Sequence, residues 1–427
     1  MKAPNSSPKL FILLSTLGVL ALVLVVGGRP SSSSQLAAQP KKEPTETKAD
    51  VYYPGTEKLA LDEMRVIACG TGMPMPRLKQ AAACFLVELG NGDKFIFDMG
   101  AGSVERLASL GIPLDKLDKV FIGHLHLDHA GDFPTFYFTG PVNNRLSTLR
   151  LWGPSGVKPE WGTKAWTQKM KEMWGWEVAT RSAMVDPRGM QLEVNEVDWT
   201  KINQVIYDRN GVQVRSLPAV HGDQAMSYIL EWKRLQFAFS SDTLPNKWWV
   251  EHTKGVDLAI HECMMPPELM MKKYGMAPGE AINVGTQGHT PGVGFGQVMA
   301  QTKPRLAVAY HFPNDYDTAP AVRDGIRKYY DGPLDLATDF MVWNVTKKEI
   351  RTRMAVVNHE AFPAAPLKEK KTPETLKSLS MTELTLSGVD PESAAAINKL
   401  IDEFNKKNGT NIKPSLTGLP FLKKDKK

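Results

Sequence analysis

FIGHLHLDHAGD, residues 121–132, places three of the chain's nine histidines within six residues. An apolar pair at its start ends a short buried strand, and the histidines follow in the loop. Alternate side chains of an extended segment share a face, so His124 and His126 would hold one cation between them. Asp128 and His129 need a turn, which would direct them to a second cation. The spacing therefore predicts a metal site at the end of a strand.

Four further apolar strands predict the same placement. They are expected at 215–220, 236–239, 257–260 and 305–310, and they lead to His221, to Asp242, to His261 with Glu262, and to His311. Upstream, strands at 65–69, 83–89 and 94–97 precede a helix at 104–110, which is the alternation of a layered α/β fold. Because five strands each deliver a histidine or an aspartate at one end, we expect these side chains to form one site.

The composition predicts one large domain with appendages. The chain has 427 residues, 42% of them hydrophobic, and its net charge of +6 is too modest to indicate a nucleic-acid surface. We expect the domain at residues 51–362, with a tryptophan-rich insertion at about 133–200. That insertion would either line an apolar substrate pocket or form the core of an inserted helical subdomain.

Residues 10–28 form an almost uninterrupted apolar run, about the length that a helix needs to cross a bilayer. We interpret it as an export signal, either an uncleaved anchor in the inner membrane or a cleaved signal peptide. Residues 29–50 are polar and predict a flexible linker. The expected location is periplasmic, with the chain anchored through residues 10–28 or secreted after cleavage.

A C-terminal extension is predicted at residues 363–427. It starts with a linker rich in proline and lysine, and residues 391–407 then have the pattern of one amphipathic helix. The apolar side of this helix would dock on the domain or bind a partner.

The histidine segment, together with His221, Asp242 and His311, resembles the seven-ligand set of the metallo-β-lactamase superfamily in its binuclear form. The resemblance covers residues 64–355. Within the superfamily, Gly70-Thr71-Gly72, Asp98-Met99-Gly100 and His261-Glu262 are similar to the signatures of the ribonuclease Z-like branch. Ser241 departs from the pattern, since a glycine usually precedes the bridging aspartate.

This resemblance implies a four-layer αββα fold with two divalent metal ions. The implied ligands of the first ion are His124, His126 and His221, those of the second are Asp128, His129 and His311, and Asp242 bridges the two. Zinc is the default metal for nitrogen and oxygen ligands, although such sites also take manganese or iron.

The resemblance also implies a reaction. A hydroxide that bridges two cations is a ready nucleophile, and Asp128 would help to orient or deprotonate the water from which it forms. His289, supported by Glu262, would be the general acid for the leaving group. His261 would donate a hydrogen bond to a ligand carboxylate such as Asp242, or it would simply cap a strand.

The expected substrate is a small phosphodiester or a sulfate ester. Ribonucleases of the branch usually carry a Gly/Pro-rich arm, and none is evident between His221 and Asp242, so nucleic acid is not the expected partner. The resemblance is closer to exported hydrolases, including periplasmic arylsulfatase-like proteins and the metallo-hydrolases named for guanitoxin biosynthesis.

Three alternatives compete with this function. The first is a ribonuclease Z-type endoribonuclease. The second is an iron-dependent oxidoreductase, which usually has a glutamate where this chain has His126. The third is a non-catalytic binding module, which would generally have lost ligands. The sequence sets no oligomeric state.

Overall fold

The computed structural model describes residues 50–182, 185–362 and 391–409. Contacts divide the chain into residues 1–48 and residues 49–427. The predicted membrane segment at 10–28 and nearly all of the predicted linker at 29–50 lie outside the described residues. In the part of the chain that is described, no helix combines the length and the apolar character needed to span a bilayer.

Two β-sheets form the centre of the described domain. In spatial order, the first contains β1 (Val51–Tyr52), β16 (Ile350–Ala355), β15 (Met341–Val345), β2 (Met64–Gly70), β3 (Cys84–Leu89), β4 (Lys94–Phe97), β5 (Lys119–Phe121), β6 (Leu149–Pro154) and β7 (Leu192–Val197). The second contains β14 (Leu334–Leu336), β13 (Leu306–Tyr310), β12 (Leu258–Glu262), β11 (Leu235–Phe239), β10 (Ala225–Trp232), β9 (Val212–Ala219) and β8 (Gln204–Arg209).

Helices cover the outer face of each sheet. The first sheet is covered by α1 (Ser103–Ser109), α2 (Leu127–Ala130), α3 (Phe133–Thr139), α4 (Thr163–Met173) and α5 (Gly175–Arg181). The second is covered by α6 (Lys247–His252), α7 (Pro267–Tyr274), α8 (Pro278–Asn283), α9 (Gly292–Thr302) and α10 (Thr318–Arg327). A π-helical turn, Val284–Gly288, follows α8. The order of layers is therefore αββα, as expected from the sequence.

The two sheets share a central core because alternate residues of each strand point to opposite faces. In β2, for example, Val66 faces the opposite sheet, whereas Ile67 faces the helices that cover its own sheet. Aromatic rings fill the space between the sheets, and the Phe97 and Phe237 ring centroids are 5.1 Å apart. Both faces of the central strands are buried, which explains why most of their residues are apolar.

The tryptophan-rich segment at 133–200 is not a separate helical subdomain, because β6 and β7 extend the first sheet. Trp152 belongs to the central core, and Trp166 and Trp199 are partly buried against the cores. Trp174 and Trp176 are 45% and 77% exposed.

Helix α11 (Pro391–Asn408) confirms the helix expected at 391–407. Leu400 and Phe404 on its apolar side are 64% and 49% exposed. Docking of this helix on the domain stays a prediction.

Candidate metal centre

The candidate ligands lie in loops that leave the two sheets at neighbouring strand ends. The loop after β5 carries His124 and His126, and the extended backbone of His126 immediately precedes the short helix α2. Asp128 and His129 therefore occupy the first turn of a helix, as the predicted turn requires. His221, Asp242 and His311 follow β9, β11 and β13 within three residues of the strand ends.

Three histidines form the first group of candidate ligands. His124 Nε2 lies 3.0 Å from His126 Nδ1, which in turn lies 3.3 Å from His221 Nε2. One ligand atom from each residue lies within 4.8 Å of the others. His124 is buried, whereas His126 is exposed, so this side of the site faces solvent.

Two carboxylates and two histidines form the second group, Asp128, His129, Asp242 and His311, and all four are buried. Asp128 Oδ2 lies 3.1 Å from His311 Nε2 and 3.4 Å from His129 Nε2. Asp242 completes the group, with Oδ1 3.3 Å from His311 Nε2 and Oδ2 3.2 Å from His129 Nε2.

Asp242 also reaches the first group. Its Oδ2 atom lies 3.7 Å from His221 Nε2 and 3.9 Å from His124 Nε2. The carboxylate therefore lies between the two sets of nitrogen atoms, which is the position of a bridging ligand.

The donor set suits divalent cations. Asp242 Oδ1 and His129 Nε2 are buried and have no hydrogen-bond partner in the described protein, although buried polar atoms are normally paired. Imidazole nitrogens and carboxylate oxygens in groups of three and four are the usual ligands of zinc and related metals. The residues present therefore fit divalent metal ions.

The protonation states agree with this fit. Burial, together with the nearby His129, holds the pKa of His124 well below its usual value. Burial opposes ionisation of Asp128, but His129 and His311 hold the pKa of that carboxyl well below its usual range. Neutral imidazoles and ionised carboxylates are the forms that bind a cation.

His129 differs from its neighbours. Burial acts to lower the pKa of His129, but the carboxylates of Asp242, Asp128 and Asp98 raise it well above the usual value. Three carboxylates around one imidazole make a strongly negative pocket, which a bound cation would neutralise.

Asp98 orients the His129 ring through the nitrogen that does not face the candidate site. His129 Nδ1 donates to Asp98 Oδ2 at 2.6 Å, so Nε2 is directed into the candidate site. Asp98 also accepts hydrogen bonds from Gly123 N at 2.7 Å and from Ser241 Oγ at 2.9 Å. Asp98 belongs to the Asp98-Met99-Gly100 signature, but its contact with His129 was not predicted from the sequence.

Ser241, the departure from the family pattern, links the two groups of ligands. Its hydroxyl donates to Asp98 and lies 3.3 Å from His124 Nδ1. Gly123 permits this approach, because a Cβ there would lie 2.2 Å from Ser241 Oγ. Asp98, Ser241 and His311 have φ angles of 57°, 50° and 76°, so three non-glycine residues around the site adopt the left-handed conformation.

His289 and Glu262 form a pair beside Asp242. His289 Nδ1 donates to Glu262 Oε1 at 3.1 Å and lies 3.6 Å from Asp242 Oδ2. The fully buried Glu262 also accepts from Thr243 N at 2.7 Å and Thr290 N at 3.3 Å. Burial acts to lower the pKa of His289, but the Glu262 and Asp242 carboxylates raise it to about 9.

His261 does not make the predicted hydrogen bond to Asp242. His261 and Glu262 belong to β12, where they pair with Ala309 and Tyr310 of β13, rather than following the strand. Because alternate residues of a strand face opposite sides, Glu262 faces the site and the His261 ring packs between Trp249 and Phe295. Its Nδ1 donates to the Glu262 carbonyl at 2.7 Å.

Comparisons with known proteins find relatives that match about half of the chain. A family model described as Anti-Pycsar protein Apyc1 matches residues 64–272, just under half of the chain. A Ribonuclease Z of Mycolicibacterium gilvum is 26% identical over 205 residues, which cover 46% of this chain and 68% of the relative. A Ribonuclease Z of Ignicoccus hospitalis is 23% identical over 261 residues, which cover 54% of this chain and 85% of the relative.

A solved structure extends the likeness to the fold. The metallo-beta-lactamase fold protein YhfI from Bacillus subtilis matches with a TM-score of 0.51 at 16% sequence identity. The match covers 66% of this chain and all of that protein. At this identity the likeness concerns the arrangement of the sheets and helices.

Proposed function

Because this chain belongs to the ribonuclease Z-like branch of the metallo-β-lactamase superfamily and is a metallo-hydrolase, we propose that it cleaves a small phosphodiester or a sulfate ester at a binuclear metal centre. The position of Asp242 carries this proposal. Its carboxylate lies within 3.9 Å of four histidine nitrogens that belong to both groups of ligands. A single aspartate in that position suits two metal ions better than one.

In this proposal His124, His126 and His221 would hold one cation, Asp128, His129 and His311 would hold the other, and Asp242 would be a ligand of both. When bound, two divalent cations supply an activated water and neutralise the negative charge that builds on the attacked phosphoryl or sulfuryl group. Zinc is the proposed metal. Asp128, a member of the second group, would orient the attacking water.

His289 supplies the proton for the leaving alkoxide. Its Nδ1–H is held by Glu262, which leaves Nε2 as the nitrogen that delivers the proton. Glu262 is itself fixed by two backbone N–H donors, so the imidazole is oriented before substrate binds. Such positioned proton donors typically contribute about 100-fold to 10,000-fold to a rate.

An endoribonuclease of the ribonuclease Z type is the second candidate. The relatives named Ribonuclease Z favour it, and they leave the expectation against nucleic acid without support. The chain between His221 and Asp242 consists mainly of β10 and β11, a short antiparallel pair. We therefore keep the small ester as the first proposal and test RNA beside it.

The test uses the full-length chain loaded with zinc or manganese. Its turnover of a chromogenic phosphodiester, the matching aryl sulfate and a precursor tRNA is compared with that of His124→Ala. Phosphodiester or sulfate turnover that is lost in His124→Ala supports the proposal and selects the ester. Cleavage of the RNA alone transfers the function to the second candidate. No turnover of any of the three by protein with two bound metals would refute both.

The proposal includes a periplasmic location, with residues 10–28 as an inner-membrane anchor or a cleaved signal. It rests on the sequence alone. Cell fractionation followed by N-terminal sequencing tests it, since cytosolic recovery of the intact chain would contradict export.

A further inference from the structure

A groove of about 500 Å³ opens beside the second group of candidate ligands. Asp128 is one of its lining residues, and half of the twelve lining residues form the loop Met73-Pro74-Met75-Pro76-Arg77-Leu78, which we call the Met-Pro loop. A volume of this size is ordinary for a site that binds a small molecule. The groove is therefore continuous with the proposed reaction centre.

The wall of the groove is largely apolar. Met73, Met75 and Leu78 contribute side chains from the loop, and Leu127 contributes one from the start of α2. Leu78 is fully exposed and Leu127 is 79% exposed. Apolar side chains exposed on either side of a groove gain free energy when an apolar group removes them from water.

The Met-Pro loop is held at both ends by one buried carboxylate. Asp339 Oδ1 accepts hydrogen bonds from Thr71 N at 3.0 Å and Thr71 Oγ1 at 2.9 Å. Its Oδ2 accepts from Ala81 N at 2.7 Å and Arg106 Nε at 2.6 Å. Because Asp339 ties Thr71 to Ala81, the groove exists before any ligand binds.

The same anchor extends to the reaction centre. The Thr71 carbonyl accepts a hydrogen bond from His311 N at 3.0 Å, and His311 is a candidate ligand of the second metal. The groove and the second group of ligands therefore have a fixed relative position. A rigid connection of this kind is what a site needs to select among substrates by shape.

The described lining of the groove has no unpaired basic side chain that could contact the phosphates of a nucleic acid. Among its described lining residues Arg77 alone is basic, and Arg77 Nη2 lies 2.7 Å from Asp315 Oδ1. Lys79 directly follows the Met-Pro loop, and its Nζ atom lies 3.8 Å from the same Asp315 oxygen. Proteins that grip nucleic acid use lysine and arginine to contact successive phosphates, and this wall lacks that arrangement.

We infer that the groove binds an apolar, ring-sized group of the ester substrate, so that the Met-Pro loop sets specificity for apolar esters over RNA. This inference rests on the proposed function, because it assumes that the reacting phosphoryl or sulfuryl group lies at the ligands beside Asp128. The methionines suit the role, since their flexible, polarisable side chains adapt to flat rings.

The test measures binding and turnover separately. Calorimetry on the metal-loaded, full-length chain gives the Kd values of diphenyl phosphate and dimethyl phosphate, which share a charge and differ in apolar size. We expect diphenyl phosphate to bind about tenfold more tightly or better, as apolar pockets commonly discriminate. Turnover is then measured on the same samples with bis(4-nitrophenyl) phosphate and methyl 4-nitrophenyl phosphate, which share a leaving group.

Two groove variants and one control complete the design. Leu78→Ser removes an exposed side chain, so folding is not at risk, and Met75→Ser removes a partly buried one. Leu61→Ser is the matched control, because Leu61 is 74% exposed and precedes β2, at the end of that strand opposite to the groove. We expect each groove variant to lower the preference for diphenyl phosphate about threefold or more and Leu61→Ser to leave it unchanged.

The outcomes separate the two proposals. Equal affinity for the two phosphates in the parent chain, no binding of either, or a preference that survives both groove substitutions would overturn the inference. If the groove variants lower the preference for diphenyl phosphate but no ester is turned over, the inference about the groove stands and the proposed function is refuted.

Discussion

Replacing Asp98 with asparagine should weaken metal binding at the second group of ligands while leaving the fold intact. Asp98 accepts three hydrogen bonds, from His129 Nδ1, Gly123 N and Ser241 Oγ. An asparagine oxygen keeps the bond from Gly123, but an NH2 group then faces His129 and Ser241. The imidazole would carry its proton on Nε2, the nitrogen that should bind the cation.

The magnitude follows from the bond that is lost. The 2.6 Å contact between His129 Nδ1 and Asp98 Oδ2 has the short length of a charge-assisted hydrogen bond. Such bonds contribute about 1.5 to 3 kcal/mol, and about 1.4 kcal/mol corresponds to a factor of ten. We therefore expect the affinity of the second cation to fall about 10-fold to 100-fold, which is the usual effect of losing a partner behind a metal ligand.

The assay is chelator competition followed by metal analysis on the parent chain and on Asp98→Asn. Asparagine tolerates the left-handed backbone that residue 98 adopts, so the substitution adds no backbone strain. Asp132→Asn is the control, because Asp132 accepts a hydrogen bond from Val104 N and does not orient a candidate ligand. Unchanged metal affinity in Asp98→Asn, with His129→Ala still losing the second metal, would refute the argued role of Asp98.

Three further predictions concern the proton donor His289, the hydroxyl of Ser241 and the buried side chain of Arg145. The protonated form of His289 is the active one, so kcat/KM should fall as the pH rises through the pKa of His289, which is about 9 without metal. Bound cations oppose the carboxylates that raise this pKa, and they therefore lower it somewhat. In a pH–rate profile, His289→Gln should lose the fall in rate on the alkaline side. Ser241→Gly should relieve the strained backbone yet weaken metal binding about tenfold, since the hydroxyl no longer joins Asp98 to His124. Chelator competition measures this change in affinity. Arg145 is fully buried and donates hydrogen bonds to the carbonyls of residues 136, 137 and 189. Arg145→Met should therefore lower the free energy of unfolding by about 3 kcal/mol or more, as measured by denaturant titration.

Each of these predictions has a contradicting result. An alkaline limb that persists in His289→Gln would assign the proton donor to another group. If Ser241→Gly binds metal as tightly as the parent chain, the hydroxyl does not help to orient the ligands. Unfolding of Arg145→Met at the denaturant concentration of the parent chain would mean that solvent satisfies the exposed carbonyls.

The sequence predicted the ligands better than it predicted what holds them. Strand ends and residue type, which are local properties, indicated several of the candidate ligands, and the resemblance to the metallo-β-lactamase superfamily completed the set of seven. Asp98, Ser241 and Asp339 act through hydrogen bonds to residues more than twenty positions away, such as Gly123 and Thr71. Those partners are determined by how the strands register, which a single sequence does not specify.

Strand length explains the error at His261. The apolar run predicted a strand that ended at residue 260, yet pairing with β13 continues through Glu262. Two more paired residues decide which side chain faces the site, since neighbours in a strand face opposite ways. The tryptophan-rich segment was misleading for a related reason. Its density of aromatic residues predicted either a pocket lining or a separate helical core. In the structure β6 and β7 pair with the main sheet, and β6 supplies Trp152 to the core between the sheets.

The left-handed residues around the site have a consequence for amide exchange. A side chain in that conformation costs about 1 kcal/mol or more, so the loops that carry Asp98, Ser241 and His311 should open more readily than the strands before them. Cations that bind only the closed loops favour the closed state by mass action. Deuterium uptake at those backbone positions should therefore slow as metal is titrated. Mass spectrometry of the corresponding peptides would then measure the metal occupancy at each group of ligands without the need for a substrate.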